Sequence, residues 1–185
     1  MKVAPALRRS TVREEPGLFE IRIPTKANIF IVVFMLAWLG GWTMGEVSVI
    51  SELLSGKSGE GTGFMAFWLI GWTVGGGLAI YTVLWMIAGR EVLRLMGDQL
   101  SIRREIFGVG RTREYDLSHV SNLRVAPADP SPFWGPRTFP GMHPGIIAFD
   151  YGASTVRMGQ SIDEAEALQI TRELNARHRF HDRAA

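Results

Sequence analysis

Two stretches decide the fold: Ala27–Gly45, ANIFIVVFMLAWLGGWTMG, and Gly63–Gly89, GFMAFWLIGWTVGGGLAIYTVLWMIAG. Neither contains an Asp, Glu, Lys or Arg. A bilayer core of ~30 Å takes about 20 apolar residues in helical form, so each stretch is long enough to cross it. With a polar segment between them they predict a transmembrane hairpin over 27–89. Lys2, Arg8, Arg9, Arg13, Arg22 and Lys26 precede the first stretch, and Arg90, Arg94, Arg103 and Arg104 follow the second. The connecting loop holds Lys57 against Glu46, Glu52 and Glu60. The excess of Lys and Arg on both flanks places both termini in the cytoplasm and the loop outside. Glu46 falls just past the first stretch, at the interface. No Asp, Glu, Lys, Arg or His lies inside either stretch to suggest transport or a proton relay, and axial ligation of haem or chlorophyll by a histidine there is excluded.

The two stretches echo each other. Trp38-Leu39-Gly40-Gly41-Trp42-Thr43-Met44-Gly45 returns as Trp68-Leu69-Ile70-Gly71-Trp72-Thr73-Val74-Gly75, both fitting W-L-x-G-W-T-x-G. Helices in lipid gain little from apolar contact as such and approach through small residues. Gly41, Gly45, Gly71 and Gly75 are therefore the expected packing positions. Two uses remain open for Trp38, Trp42, Trp68 and Trp72: packing with interfacial anchoring, which is the commoner arrangement, or the wall of a groove for lipid, quinone or pigment.

Outside the hairpin there is room in 185 residues for one small domain. The net charge of +2 is modest, and the basic residues gather beside the hairpin, where an anionic leaflet attracts each by about 1 kcal/mol. This fits a membrane surface, and no basic helix or RNA-binding signature suggests nucleic acid. The absence of cysteine removes disulfides, thiolate nucleophiles and thiolate metal sites. Residues 1–17 read as a flexible, charged leader. From Leu18 to Ile23 apolar Phe19, Ile21 and Ile23 alternate with Glu20 and Arg22, the period of a half-buried strand ended by Pro24. A hairpin returns the chain to the side it left, so this strand is expected to join those after Arg90. That makes one β domain of 18–26 and 90–178.

After Arg90 short strands follow one another: Glu91–Met96, Gln99–Phe107, Arg111–Asp116, His119–Val125, Ile146–Tyr151 and Thr155–Met158. Turns fall at Gly97-Asp98, Gly108-Val109-Gly110 and Gly152-Ala153. Ser161-Ile162-Asp163-Glu164 reads as a capping box opening a helix to about Arg177, with Ala167, Ile170, Thr171 and Leu174 on one face. The expected fold is α+β: a two-helix transmembrane hairpin with a small antiparallel β domain closed by a C-terminal amphipathic helix.

The text Gln99-LSIRREIFGVGRTREYDLSHVSNLRV-Ala126, then Gly145-IIAFDYG-Ala153 and Ser161-IDEAEAL-Gln169, resembles bacterial pleckstrin-homology-like (PH-like) domains attached to two-span membrane hairpins. The resemblance covers roughly residues 64 to 177 and rests on structural motifs. It implies a PH-like domain at the bacterial inner membrane, and the family supplies no catalytic residues.

Candidate chemistry is sparse. Arg104, Arg111 and Arg113 imitate the basic hairpin with which phosphoinositide-binding PH domains hold phosphate, and the planar guanidinium suits that task. Interleaved Glu105 and Glu114 also fit a salt-bridged sheet face. Residues 126–144 carry six prolines with Phe133, Trp134 and Phe139, which are expected to contact a partner, the membrane or the domain itself. His178 and His181 lack an evident third metal ligand. There is no Walker loop, nucleophile elbow or H-E-x-x-H. The expectation is a non-catalytic, cofactor-free interaction module partnered by the bilayer, a membrane protein and, through its arginines, anionic lipid. The alternative is an accessory subunit of a photosynthetic or respiratory complex.

Overall fold

A computed structural model describes residues 10–56, 59, 61–126, 145–178 and 180. Within them the chain is α+β, with two antiparallel sheets and three α-helices, two of which are long and apolar. Contacts divide it after Lys26 and before Ala88, so that 27–87 form one unit and the flanking segments another.

In the flanking unit the first sheet runs in sequence order: β1 (Thr11–Glu15), β2 (Leu18–Pro24), β3 (Gly89–Met96), β4 (Gln99–Ile106) and β5 (Val109–Asp116). Although 64 residues separate them, Thr25 donates to the carbonyl of Gly89 through both its amide (3.0 Å) and its hydroxyl (2.7 Å). The chain thus leaves and re-joins this sheet on neighbouring strands. Register places Ile21 opposite Leu93, Leu93 opposite Ile102 and Leu100 opposite Tyr115, so one face is apolar across four strands. The second sheet holds β6 (Val120–Val125), β7 (Ile147–Tyr151) and β8 (Ser154–Met158). Ile147, Phe149 and Met158 meet the first sheet's apolar face, and Ala167, Ile170 and Leu174 of the C-terminal helix complete the same core. Each large side chain buried there contributes about 1.5–3 kcal/mol.

Four sequence expectations change here. Residues 1–17 are not a leader throughout, because β1 forms the edge of the sheet. It is held from a distance: Ser10 donates its amide (3.0 Å) and its hydroxyl to buried Glu166, and Arg177 reaches Glu14 at 3.1 Å while lying 3.7 Å over the Phe19 ring. The C-terminal helix begins at Glu164, with Asp163 rather than Ser161 as its cap, accepting from the Glu166 amide at 2.8 Å. The hairpin turn lies at Phe107-Gly108, and Val109 and Gly110 already belong to β5. His119 closes a 3-10 turn, Leu117–His119, before β6 instead of starting the strand.

The other unit contains helices α1 (Ile29–Leu54) and α2 (Thr62–Ala88), making the C-terminal helix, Glu164–Arg177, α3. Asn28 caps α1 by accepting from the amides of Phe30 and Ile31. Val32 packs with Val83 and Met86, while Trp42 stacks on Trp72, so the helices run antiparallel. Only 11% of the most apolar window of each helix is buried. Phe30, Phe34, Phe64, Phe67 and Ile70 are exposed. Both helices are long and apolar enough to cross a membrane.

Candidate functional site

Within the helical unit an aromatic ladder runs from Phe64 through Trp68 and Trp72 to Trp42, with successive centroids 6.4, 6.2 and 6.2 Å apart. The first three rings sit at i, i+4 and i+8 on one face of α2, and Trp42 of α1 stacks on the last at 11°. Trp38 is exposed outside the ladder. The packing glycines differ from those the repeat suggests. Gly41, Gly71 and Gly75 have open space where a Cβ would stand, and a Cβ added at Gly45 would lie in ordinary contact, 3.9 Å from the Trp72 indole. The close approach is at Gly76, where an added Cβ would overlap the Trp42 indole. Large ring meets small residue across the pair, instead of small meeting small. Glu46 is not beyond the helix: α1 continues to Leu54, and Glu46 accepts from the Thr73 hydroxyl of α2 at 2.5 Å.

In the β unit the face of the first sheet turned away from the core is built of ion pairs. Glu20, 2% exposed, accepts from Arg22 and Arg94, each at 2.5 Å. Glu105 accepts from Arg90, and from Arg103 at 2.6 Å. Burial alone raises each carboxyl's pKa, but the two arginines beside each carboxylate outweigh it and hold both below the ordinary glutamate value. Asp150 is also lowered, by Thr155 and Asn122 first and then Arg124.

Of the predicted arginines, Arg104 is committed to structure. It faces Glu91 across the β3–β4 ladder and donates to it at 2.8 Å. Arg111 and Arg113 share a face of edge strand β5, and their side chains have no ion-pair partner among the described residues. The structure thus separates the trio, leaving two cations available. Phe133, Trp134, Phe139 and His143 lie outside the described residues, as does His181. His178 caps the end of α3. Among the described residues no cluster of three or more His, Asp or Glu is placed to hold a metal ion.

The β4–β5 turn is a feature that sequence reasoning missed. Ile106 pairs with Val109, leaving a two-residue loop of Phe107 (φ +51°) and Gly108 (φ +83°). A tight hairpin with positive φ at both central positions normally takes Asn-Gly. Phenylalanine there costs roughly 1–2 kcal/mol of backbone energy. It recovers nothing inside the domain, since Phe107 is 72% and Val109 80% exposed. Arg103 fixes the turn by donating to the Gly108 carbonyl at 2.7 Å. Gly110 is required because a Cβ there would strike the Arg104 carbonyl.

The chain matches no family model, no curated protein and no solved structure.

Proposed function

We propose that the protein is a membrane-anchored, non-catalytic interaction module. The hairpin of α1 and α2 crosses the bacterial inner membrane twice, both termini are cytoplasmic, and a PH-like β domain works at the cytoplasmic surface. The observation that carries this reading is the pairing of β2 with β3, Pro24 opposite Arg90, around the inserted hairpin. A domain joined to two apolar helices through adjacent strands is tethered at two points. The antiparallel meander closed by α3 supports the PH-like resemblance, with β1 as an added edge strand. Lys26, Arg90, Arg111 and Arg113 supply the charge that an anionic leaflet attracts.

Blue-native electrophoresis after mild detergent extraction tests the proposal. A module that engages its partner transiently runs as a small species, and recovers the partner only after crosslinking in the membrane. Stoichiometric co-migration with one large complex would contradict it and establish an accessory subunit instead.

A further inference from the structure

The β4–β5 turn has a place in the sheet that gives its exposed apolar tip a use. Thr25 bonds to Gly89, Gly89 pairs with Ile106, and Ile106 pairs with Val109. These four residues form one row across β2, β3, β4 and β5, and Phe107-Gly108 projects just beyond it. Neighbouring strands lie about 4.8 Å apart, so Val109 stands roughly 10 Å from Gly89. Gly89 directly follows the last residue of α2, and Thr25 lies four residues before the first of α1. The turn therefore occupies the end of the sheet at which the chain passes to and from its two apolar helices. Charge is sorted along the same axis. Near this row Arg90 and Arg104 are neutralised by Glu105 and Glu91, which leaves Lys26 and Arg111 as its unbalanced charges among the described residues, while Glu15, Asp98 and Asp116 occupy the opposite end.

We propose that Ile106–Val109 is a membrane-insertion turn. Phe107 and Val109 enter the headgroup and upper acyl region of the leaflet, and Arg111 and Arg113 pair with anionic headgroup phosphates. This rests on the reading that α1 and α2 span the bilayer, and it adds a third attachment of the domain to that membrane. The backbone cost of an aromatic at positive φ, the fixed turn, and the arginines on the next strand that lack an ion-pair partner among the described residues are all accounted for by lipid contact. An apolar tip flanked by cations matches the chemistry of an anionic bilayer surface.

The chain has no native cysteine, so single cysteines can report position directly. Full-length Phe107→Cys, Val109→Cys, Leu36→Cys and Asp98→Cys, each carrying an environment-sensitive fluorophore, are reconstituted in phosphatidylglycerol–phosphatidylcholine vesicles. A lipid-borne nitroxide high on the acyl chain serves as quencher. The proposal expects loss of emission at 107 and 109 comparable with that at 36, and none at 98. Adding Arg111→Gln with Arg113→Gln should cut the loss at 109 in these vesicles. Quenching at 36 but not at 107 or 109 would overturn the insertion turn while leaving the spans intact. No quenching at 36 would overturn the spanning reading, and the turn with it. Unchanged quenching after the double arginine substitution would remove the headgroup assignment.

Discussion

The carboxylate of Glu91 in β3 accepts the backbone amide of Gly159, 68 residues away, at 2.8 Å. It also takes the amide of Gln160 at 3.1 Å and Arg104 at 2.8 Å. At 2% exposure it ties the first sheet to the segment leaving the second, and satisfies two amides that β8 has no further ladder to use. Replacing Glu91 with alanine strands those donors and should cost about 3 kcal/mol in chemical denaturation. Arg104→Ala should cost about 1 kcal/mol or less, because that side chain is well exposed to water. Equal losses would show that the ion pair, rather than the amide contacts, carries the effect.

Gly76, not the repeat glycines, sets the spacing of the helical hairpin. Gly76→Leu should lower the melting temperature of the detergent-extracted protein, since the indole of Trp42 already fills the space. Gly75→Ala, with open space around it, should be silent. Trp42→Ala should relieve part of the Gly76 defect. A destabilising Gly75 variant beside a neutral Gly76 variant would reverse the assignment.

The start of α3 and the edge strand β1 share a fastening. Asp163→Ala removes the helix cap and should cost about 1 kcal/mol, whereas Ser161→Ala should be neutral. Glu166→Ala should in addition release Ser10, raising hydrogen exchange through Thr11–Glu15 well before the rest of the sheet responds. Uniform exchange across both sheets would separate β1 from this contact.

Glu20 and Glu105 make stability depend on pH in one direction. Both are held below the ordinary glutamate pKa in the folded domain by their paired arginines. The stabilisation is complete above the unfolded value of about 4.3 and is lost as pH falls through the folded values. The domain should therefore lose stability progressively below about pH 4.3. Glu20→Gln combined with Glu105→Gln should flatten that decline while lowering stability at neutral pH. A decline of the same slope in the double variant would assign it to other carboxylates.

The sequence shows its architecture where burial imposes a period. Phe19, Ile21 and Ile23 mark β2, glycines mark most turns, and Ala167, Ile170 and Leu174 mark the buried face of α3. The two apolar helices are evident from length and composition. What escaped is held by contacts across long stretches of chain. Thr11–Glu15 has one apolar residue and no alternation, and becomes a strand through Glu166 and Arg177, more than 150 residues on. Gly75-Gly76-Gly77 offers three small positions, and only the place of Trp42 distinguishes the second. Gly108 and Gly110 look like one loose turn, yet the first serves a positive φ and the second a close carbonyl. This displacement is what puts Phe107 at the tip. Which arginines were spare also needed the register, because Arg104 and Arg111 are cross-strand neighbours and only the former faces a carboxylate.

The central claim is that the helical hairpin crosses the membrane twice and leaves the β domain on the cytoplasmic side. Ser55→Cys at the end of α1 and Asp98→Cys in the β3–β4 turn test it most directly, in full-length protein with no other thiol. With a membrane-impermeant maleimide, Ser55→Cys should label in intact cells and Asp98→Cys only after the membrane is opened. Labelling of Asp98→Cys in intact cells, or the same response at both positions, would contradict the account.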